Sequence, residues 1–218
     1  MDEWVLYHGS PLRVPRPQFG VGNPYNDYGL GFYCTESIDL ACEWACPRDR
    51  NGMVNRYRLS VDGLSVFDLD VAEGGTLSWL AVLLTNRQFD VSTAVTRQAR
   101  NYVLTQYPAA VDASDVVVGY RADDSYFSFA KAFLDNRITL RQLERALRLG
   151  GLGRQVMLKS ERAFQALAFE GAEVVQASLW HERRMARDEA ARSDFRRILS
   201  EETVLPDDIF AIDLVRGA

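Results

Sequence analysis

The sequence predicts an α+β fold, and three observations carry that expectation. Short apolar stretches bounded by turn residues recur along the chain, among them "WVLYHGS", "LGFYCT", "DVVVGY" and "RQVML", and read as strands. Helical patterns are scattered between them without the regular strand–helix alternation of a doubly wound parallel sheet. The 218 residues are 47% hydrophobic and 25% charged, enough apolar material for one substantial core. The expectation is a single domain over residues 1–218, with 175–218 a helical and strand extension.

In chain order, residues 3–8 read as a first strand. "PLRVPRPQFGVGNPYNDYG" carries four prolines and reads as a long irregular loop, a kind of segment usually functional or disordered in a compact domain. "LGFYCT" reads as a strand. Thr35 or Ser37 then caps a helix, with Glu36 favourable near its start. Ile38, Ala41, Cys42 and Ala45 share one face of that helix, and Leu40 and Trp44 lie on a neighbouring one.

"NRYRLSVDGLSVFDL" predicts a hairpin, because Tyr57, Leu59 and Val61 alternate and Asp62-Gly63 suits a two-residue turn. "LSWLAVLLTNR" predicts a buried helix. Asp115 to Gly119 predicts a buried strand running into a loop. "ITLRQLERALRLGG" predicts a helix with a Thr139–Gln142 capping box, a Leu140, Leu143 and Leu147 stripe, and Gly150 as C-cap. "GRQVMLKS" reads as a strand, "ERAFQALAF" as a helix and "AEVVQAS" as a strand. Residues 179–200 read as a polar helix, and "DIFAIDLV" as a closing strand.

The formal net charge is −5 and the sequence pI about 5.2. A general electrostatic grip on nucleic acid is therefore not the expectation, although "RQLERALR" and "HERRMARDEAARSDFRR" are locally basic. No apolar run is long enough to span a bilayer, and "MDEWVLYH" lacks the basic and apolar start of a cleaved signal. The reading is a soluble, cytoplasmic protein with no membrane partner. Cys34, Cys42 and Cys46 are too few for a disulfide framework. Cys42 and Cys46, even joined by His181, lack the paired spacing of a metal site, and they read as helix packing.

Three stretches in order, "YHGS", "YGLGFYCT" and a helix ending "EWA", resemble the His-Tyr-Glu branch of the ADP-ribosyltransferase superfold. That branch includes the poly-ADP-ribose polymerases and diphtheria toxin. Asn86-Arg87 and "GYRADD" fit the same resemblance, which covers most of residues 4 to 170; residues 175–218 carry no matching motif. The resemblance implies split antiparallel β-sheets with surrounding helices, NAD as substrate and no metal. It assigns His8 to a ribose hydroxyl on the adenine side. It assigns the backbone of Gly9 and the hydroxyl of Ser10 to the nicotinamide carboxamide. It assigns Tyr33 and Trp44, eleven residues apart, to the two faces of nicotinamide. These residue types suit the ligand, because an aromatic face attracts a cationic ring by about 0.5 to 2 kcal/mol. Each also fits ordinary strand or helix packing when taken singly.

The chain departs from that pattern at three places. Trp44 stands where the branch usually carries a Tyr, and keeps an aromatic face. Gln155 stands where the branch carries a catalytic Glu, so the side chain can hydrogen-bond the ribose without supplying a charge. Leu30 stands where a Lys is usual, and Arg13 and Arg16 are candidate replacement cations. Glu161, Asp123 and Asp124 are candidate borrowed carboxylates. The catalytic set implied is His8, Tyr33 and Gln155, and the NAD-binding set is His8, Gly9, Ser10, Arg13, Tyr33 and Trp44. The function implied is a toxin-like mono-ADP-ribosyltransferase acting on a protein or nucleic-acid acceptor and checked by a cognate antitoxin. The alternatives are an NAD glycohydrolase, a non-catalytic NAD or ADP-ribose-binding module, and a scaffold for interactions.

Overall fold

Runs of β-branched and aromatic residues build seven strands in one hydrogen-bonded sheet. The computed structural model describes all residues except 1, 49, 110, 123, 152, 202 and 218, and the side chains of all those described except 124, 125, 150 and 201. In chain order the strands are β1 (Glu3–Ser10), β2 (Phe32–Thr35), β3 (Gly52–Ser60), β4 (Val66–Asp68), β5 (Val116–Tyr120), β6 (Arg154–Leu158) and β7 (Leu167–Val175). Their spatial order is β4-β5-β6-β2-β1-β3-β7. All pairings are antiparallel except β4 with β5. The α+β class is as the sequence predicts.

Both faces of the sheet are covered, which follows from the alternation of its buried side chains. Val116, Val118, Val156 and Leu158 point into one apolar cluster with Leu6, Phe32, Tyr57 and Leu59. Val117 and Met157 point into the other, against the helices α2 (Thr76–Asn86) and α4 (Asp124–Leu134). α2 is apolar on every side because the core encloses it; Leu77, Trp79, Leu80, Val82, Leu83 and Leu84 are all buried. A further helix, α3 (Ala94–Gln106), packs on α2. Its sequence carries only a weak apolar stripe, and it has no counterpart in the sequence reading. Nor has α4, where the sequence predicts a loop.

The sheet is nearly parted at its middle. β1 and β2 share one register pair, Tyr7 with Thr35, whereas β1 pairs with β3 along its whole length. The expected split is therefore a seam within a single sheet. Helix α1 (Ile38–Ala45) sits beside this seam. Ser37 caps it by accepting from the Leu40 amide. Ala41, Cys42 and Ala45 of the predicted face are buried together with Leu40, but Ile38 at the start of the helix is 48% exposed. The three cysteines are buried and free.

The hairpin prediction fails. The turn forms, with Gly63 at a φ of 76° and Leu64 N–H donating to Val61 O at 3.0 Å. The chain then crosses the sheet, because β3 already has β1 and β7 on its two edges. Asp115 holds the arriving segment: its carboxylate accepts from the Ser65 amide at 2.8 Å and from Arg162 at 3.2 Å, and it also bonds the Ser160 hydroxyl.

Three other boundaries differ. The capping box of α5 (Leu140–Ala146) forms as predicted, but the helix ends before Gly150, which lies in a 3-10 turn over Leu149–Gly151. α6 is confined to Glu161–Gln165, and β7 starts at Leu167. The predicted closing strand is helical, as α8 (Ala211–Arg216). Asp213 accepts from the Phe210 amide at 2.9 Å, Asn136 Oδ1 accepts from the Ile212 amide at 2.9 Å, and Gly217 ends the helix at a φ of 73°. The polar helix is present as α7 (Ala177–Glu201).

The hydrogen bond from Ser160, the Ser65 amide and Arg162 hold the Asp115 carboxyl below its ordinary value of 3.8. A depressed carboxylate pKa contributes stability that is present above the unfolded value and lost as pH falls through the folded one. Thermal unfolding at about pH 5 and about pH 3 is the test. The wild type loses more of its melting temperature across that interval than Asp115→Asn does.

Candidate functional site

Seven segments of the chain converge on an open cleft of about 280 Å³ beside the sheet seam, at the small end of the range for ligand sites. The loop before β2 supplies Asn26 and Asp27, β2 supplies Tyr33 and α1 supplies Trp44. Arg87 follows α2, Arg121 and Ala122 follow β5, β6 supplies Gln155, and α7 supplies Arg184.

The cleft is organised around Asp27. One carboxylate oxygen accepts from Arg87 at 3.1 Å. The other accepts from the Ala122 amide at 2.9 Å and from Gln155 Nε2 at 3.2 Å. Asp27 is buried, and burial pushes its pKa up. The Ala122 N–H, Arg87, Gln155 and Arg121 oppose that shift. Arg87 is itself stacked over Phe127 at 4.9 Å. Asn86 Nδ2 reaches the Asp27 carbonyl at 3.4 Å, so Asn86-Arg87 acts as a two-point clamp on the loop. The other end of the loop is held by Asn55, which accepts from the Val14 amide at 2.7 Å and donates to Leu12 O at 3.1 Å. An irregular stretch rich in Pro and Gly is thereby pinned at both ends.

Gln155 is 3% exposed. Its amide also donates to Tyr120 O at 3.3 Å, a carbonyl that Trp79 Nε1 reaches at 2.9 Å and that Tyr28 hydroxyl reaches too. Opposite Gln155 on β5 is Gly119. A Cβ there would lie 2.7 Å from the Tyr28 hydroxyl, so glycine is what lets Tyr28 reach under the strand. The Tyr33 hydroxyl donates to Gly29 O at 2.6 Å and accepts from the Tyr28 amide at 3.1 Å. Burial raises its pKa, and it stays protonated at neutral pH. The guanidinium of Arg121 lies 4.8 Å from the centre of the Trp44 ring, covering one face of the indole.

Tyr33, Trp44 and Gln155, from three separate elements, thus share one cleft. His8, Gly9, Ser10 and Arg13 stand outside its walls. His8 packs on Phe32 with ring centres 4.4 Å apart, and its Nδ1 is 2.7 Å from Tyr33 O. A carbonyl only accepts, so Nδ1 carries the proton. Burial lowers the His8 pKa against the pull of that carbonyl, leaving a neutral ring whose Nε2 is an acceptor. Gly9 has a packing reason: a Cβ would lie 1.9 Å from Ala41 O and 2.9 Å from the Trp44 Cβ. The helix that carries Trp44 rests directly on the Gly9 backbone. The Ser10 hydroxyl is engaged with Leu12 N and O. Arg13 lies over Phe169 at 5.1 Å, and Arg16 is exposed; neither faces the cleft. Leu30 lines a different cavity with Phe19 and Phe164. Glu161 is exposed at the start of α6. Asp123 lies outside the described residues, as does the side chain of Asp124. The carboxylate beside Gln155 is Asp27, which the sequence reading passed over as part of a turn-rich loop. Arg184 was passed over as part of a solvated helix.

Among the described residues no group of three or more His, Cys, Asp or Glu side chains could hold a metal ion, and no helix is long and apolar enough to cross a membrane. Fold and site together define an α+β protein with an arginine-lined, aromatic-walled cleft. The chain belongs to the family described as "Protein of unknown function (DUF3990)", whose model matches residues 4–169. No curated protein and no solved structure matches it. α7 and α8 lie beyond the family match.

Two substitutions separate architecture from ligand chemistry. Gly9→Ala forces α1 off the sheet and costs about 1–3 kcal/mol in urea unfolding of the ligand-free protein. Asp27→Ala leaves the half-buried Arg87 guanidinium and the buried Gln155 amide without their acceptor and costs about 1–3 kcal/mol in the same measurement.

Proposed function

We propose that this protein is an NAD-dependent, toxin-like mono-ADP-ribosyltransferase. The observation that carries the reading is the convergence of Tyr33, Trp44 and Gln155 on one cleft beside the sheet seam. The fit to the ligand is chemical. Two aromatic side chains suit a flat cationic ring, guanidinium groups suit phosphate, and about 280 Å³ suits part of a dinucleotide.

In this reading the ring and its ribose enter the cleft. Tyr33 and Trp44 hold the pyridinium. Gln155 commits its amide nitrogen to Asp27 and Tyr120 O, leaving Oε1 to accept a ribose hydroxyl. Positive charge grows on the ribose as the bond from its anomeric carbon to nicotinamide breaks, the electron pair leaving with nicotinamide. Asp27, bonded to the same amide, supplies the negative charge that Gln155 lacks. A buried carboxylate already in place stabilises that charge without reorganisation. The acceptor's lone pair then forms the new bond to the anomeric carbon. His8, neutral with Nε2 as acceptor, suits a ribose hydroxyl donor at the far end of the ligand. The acceptor is a protein or nucleic acid in the cytoplasm, and a cognate antitoxin restrains the activity. With water as the acceptor the same chemistry is NAD glycohydrolysis.

One observation favours a second reading, a non-catalytic NAD or ADP-ribose-binding module. Gln155 carries no charge, and that of Asp27 is shared with Arg87.

Incubation with labelled NAD and cell lysate is the test. The expected result is labelled macromolecule with release of nicotinamide. Tyr33→Ala abolishes turnover, and Asp27→Asn lowers kcat by about 100-fold. Saturable NAD binding without turnover selects the module instead. Absence of both binding and turnover overturns the proposal.

A further inference from the structure

The part of the chain beyond the family match reaches into the cleft. On α7, Arg184, Arg187, Ala191, Phe195 and Ile198 follow a three- and four-residue spacing, which places them on one helical face. Three of them anchor the helix: Ala191 and Ile198 are buried, and Phe195 packs on Phe129 with ring centres 4.0 Å apart. Further toward the N-terminus of α7 the same face carries arginines where a packed helix would carry apolar residues. Arg187 is paired with Glu43 of α1, with Nε and Nη2 both 2.8 Å from one carboxylate oxygen, and the pair is largely buried. This ion pair docks α7 on the helix that bears Trp44.

Arg184, one turn before Arg187, lines the cleft. It makes no hydrogen bond or ion pair among the described residues. The other two cleft arginines are engaged: Arg87 with Asp27, and Arg121 over Trp44. Among the described residues, three guanidinium groups and one carboxylate line the cleft, in a chain whose formal net charge is −5. That local reversal of sign selects an anionic ligand. The planar fork of arginine matches phosphate oxygens in pairs.

We propose that Arg184, with Arg121, forms the subsite for the diphosphate of the dinucleotide, so that α7 completes the binding site. The proposal rests on the NAD reading above and adds to it the residue and the helix that hold the phosphates. Arg184 binds the phosphates and takes no part in bond breaking. Its loss weakens diphosphate-bearing ligands and leaves the ring subsite intact.

Calorimetric titration of the full chain with ADP-ribose, nicotinamide and inorganic pyrophosphate is the test. Wild type, Arg184→Gln, Arg184→Lys and Arg183→Gln are compared, each with a thermal melt to establish folding. Arg183 lies over Trp180 on the same helix and controls for the loss of one charge. The expected result is about tenfold or greater weakening of ADP-ribose and pyrophosphate by Arg184→Gln. Arg184→Lys restores part of it, Arg183→Gln changes neither, and nicotinamide binding stays within about twofold of wild type throughout. Equal ADP-ribose affinity in wild type and Arg184→Gln overturns the subsite and leaves the NAD reading standing. Failure of the wild type to bind ADP-ribose or nicotinamide overturns both.

Discussion

The carboxylate of Asp27 is the constraint on which the site depends. It comes from a loop without regular structure, yet it bonds the end of α2, the turn after β5 and the start of β6 at once. A buried charge is tolerated only when its acceptor capacity is filled, and here every partner is also a wall of the cleft. Loop position, Gln155 orientation and Arg87 orientation are therefore one arrangement. Desolvation opposes the charge of Asp27, and the same desolvation makes that charge effective on anything bound beside it.

The sheet supplies the other half of the design. Two well-paired halves meet at a seam with one register pair, and groups on its two sides meet there: the His8 ring donates to Tyr33 O, and the α1 backbone packs on Gly9. The space a continuous ladder would fill is given to side chains and a helix. Aromatic and polar groups from β2, α1 and β6 can then face one opening. α7 closes the arrangement from outside, through the Arg187–Glu43 pair.

Much of this was legible in the sequence where the signal was local. Short apolar stretches bounded by turn residues located β1, β5 and β6. The Thr139–Gln142 capping box formed as read, and so did the all-apolar α2. The meeting of Tyr33, Trp44 and Gln155 was legible as an ordered set of motifs, although their shared cleft is a product of tertiary packing. What was not legible depended on distant segments. Asp62-Gly63 makes a turn in any context, but whether the next strand returns beside β3 depends on β7, over a hundred residues later. "DIFAIDLV" alternates like a strand and is helical because Asn136 and Asp213 cap it. Asp27 looks like any turn aspartate until Arg87, Ala122 and Gln155 are brought to it. Arg184 and Arg187 look like solvated charges because the stripe they extend is read only once Phe195 and Ile198 are seen packed.

A crystal structure of the protein with a non-hydrolysable NAD analogue tests the central claim most directly. The account predicts the pyridine ring between Tyr33 and Trp44, and a ribose hydroxyl on Gln155 Oε1 with Asp27 behind it. An analogue bound at another surface, or a pyridine ring absent from the cleft at saturating concentration, would contradict it.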